Sequence, residues 1–288
     1  MIAASRMYAS KLLHLPTEII QLTVDHLWPD ETIALLMAAP KLAHLLTDEQ
    51  LRYQDGMGNT ILHCAVDKNA VDIVNLIARR CAQDQVANRM GHTALHHAIS
   101  EGRQKITRML VDAGFDMSAK DLDGRTPFHW ACYDSCRDSN LAEIVQLMLA
   151  KGADPLVVTK FQETVLHVML ENFLEPNLSV VQMVIDAGVD VNALDIDGCS
   201  PLCCSVTNGH EGAFELLLAN GADPHIRTPD GTILHGAVAY EQEKLVKRAV
   251  ELGVDLSVRD SEAETALMIA MRYGYDNITY ILWDAGAA

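Results

Sequence analysis

Apolar residues recur along this chain in two alternating clusters, and the interval between copies is nearly constant. The first cluster always opens on Thr or Ser: TILHCA at 60, TALHHA at 93, TPFHWA at 126, TVLHVM at 164, SPLCCS at 200, TILHGA at 232 and TALMIA at 265. The steps between these copies are 33, 33, 38, 36, 32 and 33 residues. A second cluster follows each opening residue by 13 to 18 positions: IVNLI at 73, ITRMLV at 106, IVQLML at 144, VVQMVI at 180, AFELLL at 213, LVKRAV at 245 and ITYIL at 278. Each copy therefore predicts a pair of amphipathic helices. In the third and fourth copies the second cluster arrives five and three residues late, which equals the excess of the 38- and 36-residue steps. Insertions thus fall between the paired helices, at about Asp134 to Asn140 and Phe173 to Leu178.

The opening phrase has the chemistry of a helix start. Thr or Ser can accept from backbone N–H groups two or three residues on, and Pro127 and Pro201 fall at the first helical position, where a missing N–H costs little. His63, His96, His129, His167 and His235 lie three residues after Thr60, Thr93, Thr126, Thr164 and Thr232. A capping box places Glu or Gln there, and an imidazole can return the same hydrogen bond. Glycines at 114, 152, 188, 221, 253 and 286 close the second helices, as a left-handed C-cap requires. Asp-Gly pairs at 55, 123, 197 and 230 then supply turns before the next phrase.

Length, phrase and spacing together resemble the ankyrin repeat, with its period of about 33 residues and its T-P-L-H-x-A phrase. The resemblance covers residues 53–288 and implies an all-α solenoid of about seven repeats with short β-hairpin turns between them. It also implies that the Thr and His pairs tie neighbouring repeats together, and that hairpin tips and inner helices line one concave, partner-binding surface. Positions that vary among the repeats and project there are the candidates: His97, Trp130, Tyr133, Tyr240 and Tyr273, with Phe161 at a hairpin tip. Tyr and Trp are frequent anchors of protein interfaces.

Residues 12–50 carry a different pattern. Pro16 starts a helix with Glu18 in its first turn and Ile19, Ile20, Val24, Leu27 and Trp28 at helical spacing. Trp28-Pro29-Asp30 breaks it, Asp30 is expected to cap a helix from Ile33 through Ala39, and Pro40 to open a third that carries Leu42, Leu45 and Leu46. L-P-x-E-I, D-x-x-x-x-L-L and a closing L-x-x-L-L resemble an F-box, in the form common ahead of the repeats of fungal ankyrin proteins. The resemblance implies that Leu15, Pro16, Ile19, Ile20 and Leu35 dock the adaptor subunit of a cullin ubiquitin ligase while the repeats bind the client. The usual closing helix with its aromatic anchor is missing, since Leu51 and Tyr53 run into the first repeat. The alternative is that these helices only cap the stack of a plain ankyrin scaffold or inhibitor, since solenoid ends need a cover. Residues 1–11 read as a lead-in. The acid-free first 17 residues, with Arg6 and Lys11, share that feature with mitochondrial presequences.

Charge narrows the partner. Lys and Arg number 22 against 39 Asp and Glu, a net charge of -17, which opposes nucleic acid and anionic membrane surfaces. The first 50 residues hold three basic and six acidic groups, so residues 51–288 hold 19 against 33. No apolar run nears the ~20 residues needed to span a bilayer. Seven cysteines without regular spacing read as reduced thiols in a cytoplasmic or nuclear protein. His129, Cys132 and Cys136 suggest a zinc site at first sight, yet His129 belongs to the recurring capping set and no C-x-x-C pair exists. The carboxylates of Asp121, Asp123, Asp195, Asp197, Glu262 and Glu264 read as solvated turn charge. No catalytic motif, cofactor or metal site emerges. The expectation is a monomeric, non-enzymatic protein-binding chain, with a catalyst using a pocket near Trp130 as the alternative from another class.

Overall fold

In the computed structural model, residues 24–82, 85–134 and 141–287 are described. Leu15, Pro16, Ile19, Ile20 and Cys136 lie outside them, as does nearly all of the insertion at 134–140. The chain divides into two compact units: residues up to Ala131 with Glu143–Asp154, and Cys132–Ala142 with Pro155 onward.

The described residues of the first unit begin with α1 (Pro29–Ala38), a 3-10 turn (Pro40–Leu45) and a short helix α2 (Asp48–Arg52). Helix α1 starts at Pro29, one turn earlier than the sequence pattern suggests. Its cap is Trp28, whose amide donates to Glu31 Oε2 at 2.9 Å, so Asp30 sits inside the first turn, where a carboxylate still favours the helix dipole. Helix α2 was not expected. Thr47 and Gln50 form its capping box, Thr47 N–H donating to Gln50 Oε1 at 2.8 Å, and that local pair is enough to set one turn of helix. The repeats continue with α3 (Ile61–Asp67) and α4 (Val71–Cys81), α5 (Ala94–Ser100) and α6 (Gln104–Asp112). Helix α1 packs on α3, the 3-10 turn on α4, and α3 and α4 on α5 and α6 respectively. Ile33, Leu36, Leu42 and Leu46 are buried in this packing, so the segment before the first repeat covers the end of the stack.

Helices α7 (Pro127–Asp134) and α8 (Leu141–Ala150) belong to the third repeat. The second unit holds four pairs: α9 (Val165–Leu170) with α10 (Leu178–Asp186), α11 (Pro201–Thr207) with α12 (Glu211–Ala219), α13 (Ile233–Ala239) with α14 (Glu243–Glu251), and α15 (Ala266–Tyr273) with α16 (Asp276–Asp284). Inner helices pack on inner and outer on outer, α9 on α11 on α13 on α15 and α10 on α12, α14 on α16. The cores of both units are aliphatic, with Phe128 and Phe214 as the largest side chains wholly buried. Among the described residues no helix is long and apolar enough to cross a membrane.

The expected β-hairpins are tight turns instead of strands; Thr228 and Gly231 form an isolated bridge. The other turns are closed over five residues, as by Asp121 N–H to the Arg125 carbonyl at 2.9 Å, and that at Thr228 over four, which is too short for a ladder. Neighbouring tips instead touch through single backbone bonds: Arg89 N–H to Met57 O, 3.1 Å, and Leu122 N–H to Met90 O, 3.3 Å, in the first unit, and Ile196 N–H to Phe161 O, 2.8 Å, in the second.

Candidate functional site

Where the phrase that opens an inner helix holds Thr and His, it builds a brace. Thr60 donates its amide to His63 Nδ1 at 3.2 Å, and its hydroxyl lies 2.9 Å from the same nitrogen. His63 Nε2–H then donates to the carbonyl of His92, at 3.0 Å, just before the next repeat's Thr93. The pattern repeats: His96 pairs with Thr93 and reaches Arg125 O at 3.2 Å, His167 pairs with Thr164 and reaches Cys199 O at 3.0 Å, and His235 pairs with Thr232 and reaches Val258 O at 3.1 Å. His129 makes the same pair with Thr126, at 2.8 Å. These rings are buried, and burial pushes His63 and His96 down to about 4, each against the partial support of its carbonyl partner. Burial lowers His167 and His235 as well. Cys203 replaces the imidazole in the fifth repeat; its amide donates to Ser200 Oγ at 3.4 Å.

The turn carboxylates are not all solvated charge, which corrects the sequence expectation. Asp121 is buried, and its Oδ1 accepts from the amides of Asp123 and Arg125 at 2.9 and 2.8 Å. Asp195 accepts from Asp197 and Cys199 at 3.0 and 2.8 Å, and Asp260 from Glu262 and Glu264 at 2.9 Å each. Asp55 does the same for Met57 and Asn59. Each such side chain satisfies amides that a five-residue turn leaves without backbone partners. In the first repeat the left-handed residue of the turn is Gly58, not Gly56 of the Asp-Gly pair.

The candidate recognition residues fall into different settings. In the first unit His97 is half-buried and held by Asp67, Nε2 to Oδ1 at 2.6 Å. Trp130 is half-buried too: its indole N–H donates to Asp121 Oδ2 at 2.9 Å and its ring meets His92 edge to face at 5.2 Å. In the second unit Tyr133 is half-buried and its carbonyl faces Asn172 Nδ2 at 3.4 Å. Phe161 is 47% exposed at its turn, and Tyr240 and Tyr273 are each 56% exposed. Tyr240 and Tyr273 share one cleft of about 430 Å³ with Cys203, Asp230, His235 and Arg272. Arg272 stands over the Tyr273 ring at 5.0 Å and is held by Glu262 and Glu264 at 3.2 and 2.9 Å. The floor of this cleft is inner helix and its rim is turn, so it can seat an extended side chain between aromatic faces and carboxylates. The structure brings the two sequence-predicted tyrosines into one cleft with Arg272 and Asp230, which the sequence pattern did not single out as recognition residues, since Asp230 and Tyr240 reach Arg272 and Tyr273 only through the packing of neighbouring repeats.

Of the adaptor-docking candidates, Leu35 is the one within the described residues. It is half-buried on α1, beside the buried Ile33 and Leu36. Burial raises the thiols of Cys132, Cys199 and Cys204 far above the ordinary range, which leaves them poor nucleophiles. Among the described residues no group of three His, Cys, Asp or Glu is placed to hold a metal ion.

Comparison with known proteins agrees with this geometry. A sequence model described as ankyrin repeats in three copies matches residues 1–121, 79–139, 134–228 and 214–288. The B-cell lymphoma 3 protein homolog of Mus musculus is 30% identical over 75% of this chain and 49% of its own length. The E3 ubiquitin-protein ligase KEG of Arabidopsis thaliana is 22% identical over 77% of this chain and 16% of its own. The chain thus spans half or less of these relatives. Among solved structures, the ankyrin repeat domain of Bcl-3, described as a unique member of the IkappaB protein family, aligns with a TM-score of 0.62 and 28% identity, covering 78% of this chain and 99% of that one.

Proposed function

This chain belongs to the ankyrin-repeat family of protein-interaction scaffolds, and on that premise we propose that it is the client-binding receptor of a cullin ubiquitin ligase, acting without catalysis of its own. The observation that carries the scaffold reading is the cleft in which Tyr240, Tyr273 and Arg272 converge on a frame whose amides and imidazoles are already satisfied. Such a surface is organised before the partner arrives, which limits the ordering cost of binding. In this reading His97, Trp130, Tyr133 and Phe161 add contacts, and the protein works as a monomer in the cytoplasm or nucleus.

The ligase part rests on the F-box-like phrase of residues 12–50, with Leu15, Pro16, Ile19, Ile20 and Leu35 meeting the adaptor. The half-buried Leu35 and the exposed Met37, on a helix that buries Ile33 and Leu36, are in keeping with it. A second reading, a plain scaffold or inhibitor, is favoured by the seating of α1 on α3 and of the 3-10 turn on α4, which is what a cap does. Co-purification distinguishes them. The receptor reading expects the ligase adaptor with wild-type protein and its loss with Leu15→Asp or Ile19→Asp, while a client stays bound; that client is expected to be lost with Tyr240→Ala/Tyr273→Ala instead. Absence of the adaptor from wild-type preparations would leave the plain scaffold.

A further inference from the structure

In the insertion of the fourth repeat three large apolar side chains face outward while an asparagine is buried. Between α9 and α10, Asn172 is buried while Phe173 is 92% exposed, and Leu174 and Leu178 are exposed as well. This is not a slack loop. The Nε2–H of His210, a residue 2% exposed, donates to the Asn172 carbonyl at 2.7 Å. The Asn172 Oδ1 in turn accepts from the Leu174 amide at 3.2 Å. On the far side, Glu175 Oε1 accepts the Ala213 amide at 3.0 Å, in the first turn of α12, and its Oε2 lies 3.3 Å from His210 Nδ1. A carboxylate at a helix N-terminus is favourably placed, and the absence of a side chain at Gly212 makes room for it, since a Cβ there would sit 2.9 Å from Glu175 Oε1. Pro176 is buried, and Asn177 caps α10 through the Ser179 amide at 3.1 Å.

Phe173 and Leu174 are thus held in water between two fixed anchors. Burying a Phe side chain is favourable, and this loop forgoes that gain while committing hydrogen bonds to its shape. Rigid, exposed aromatic side chains of this kind serve as interface anchors. The surroundings define what can cover them. Residues 161–226 contain no Lys or Arg and ten Asp or Glu, of which Glu211 and Glu215 are paired with Lys244 and Arg248, while Glu175 follows the pair and Glu171 lies two residues before it.

We propose that the insertion at residues 172–178 is a preformed docking knob for a basic amphipathic segment of a protein partner, whose apolar stripe covers Phe173, Leu174 and Leu178 while its Lys or Arg side chains face the acidic sector. The proposal rests on the reading of the chain as a protein-binding scaffold and adds a second contact outside the Tyr240 and Tyr273 cleft.

The test uses two labelled amphipathic helical peptides of about 18 residues, five turns, with the same Leu stripe and either Lys or Glu on the polar face. Binding to the full chain is read by fluorescence anisotropy. The Leu/Lys peptide is expected to bind wild type and to lose at least about tenfold in affinity to Phe173→Ser/Leu174→Ser, with melting temperature retained because both side chains are exposed. The Leu/Glu peptide is expected not to bind. Equal affinity for the double variant, equal binding of the Leu/Glu peptide, or no binding of the Leu/Lys peptide would each overturn the knob. Weakening by Tyr240→Ala/Tyr273→Ala alone would also overturn it, while leaving the scaffold reading in place.

Discussion

His63 and His96 use both ring nitrogens in opposite senses: Nδ1 accepts from threonine and Nε2–H donates to a carbonyl of the following repeat. Only the neutral ring does both, since a proton on Nδ1 would face the Thr amide proton. Burial holds these two groups at about 4, against about 6.5 in the unfolded chain. The unfolded state therefore takes up protons first as the pH drops. Stability is fully present above about pH 6.5 and is lost as pH falls from there through 4, about 2 kcal/mol for each of these rings by pH 5. Urea midpoints at pH 7 and pH 5 check this. His63→Gln keeps a capping acceptor without a titrating ring, so its midpoint is expected to be lower at pH 7 but to fall less on acidification. A variant as acid-sensitive as wild type would remove His63 from the explanation. The threonine and histidine of each brace were legible from sequence spacing; the carbonyl that completes it lies 23 to 32 residues downstream and was not.

At the scale of elements, consecutive turns approach so closely that a methyl group is excluded. Gly91 has a φ of +78°, and a Cβ there would lie 2.8 Å from Leu122 N and 2.9 Å from the Asp121 Cα. Gly114, at the end of α6, has a φ of +84° but nothing within 4 Å. Both alanine variants incur the left-handed penalty of about 1–2 kcal/mol. Gly91→Ala is expected to cost more than Gly114→Ala, because the next turn's backbone must move, and thermal or urea unfolding of the pair measures the difference. Equal losses would show that the turns slide apart freely. The helix pairs themselves followed from the repeated clusters, and the insertion of the fourth repeat from its late second cluster. The unforeseen helix α2 depends on a local capping box at Thr47 that no apolar periodicity announces, and the short turns replaced hairpins because side-chain acceptors such as Asp121 do the work a strand ladder would do.

For the whole molecule, the excess of 17 negative charges makes encounter with partners an ionic-strength-dependent process. Outer helices pair some of this charge, as Arg248 does with Glu215 at 2.7 Å and Lys244 with Glu211 at 3.0 Å, but exposed pairs of this kind contribute about 0–1 kcal/mol each and leave the sign of the field unchanged. A basic partner is expected to associate more slowly as salt is raised, with a much smaller change in dissociation rate. Stopped-flow association at low and high NaCl tests it, and a rate independent of salt would show that the acidic surface does not steer recognition.

The sequence by itself determined the repeat, the helix pairs, the caps and the positions of the insertions, because all of these are written in contacts between residues close along the chain. Only the tertiary structure decided which polar groups finish one another across repeats. It carried the imidazole of His63 to the carbonyl of His92 and that of His235 to the carbonyl of Val258, and it set His210 against Glu175 and the Asn172 carbonyl of the repeat before. Those pairings depend on how one module leans on the next, and that distance is fixed by packing rather than by periodicity.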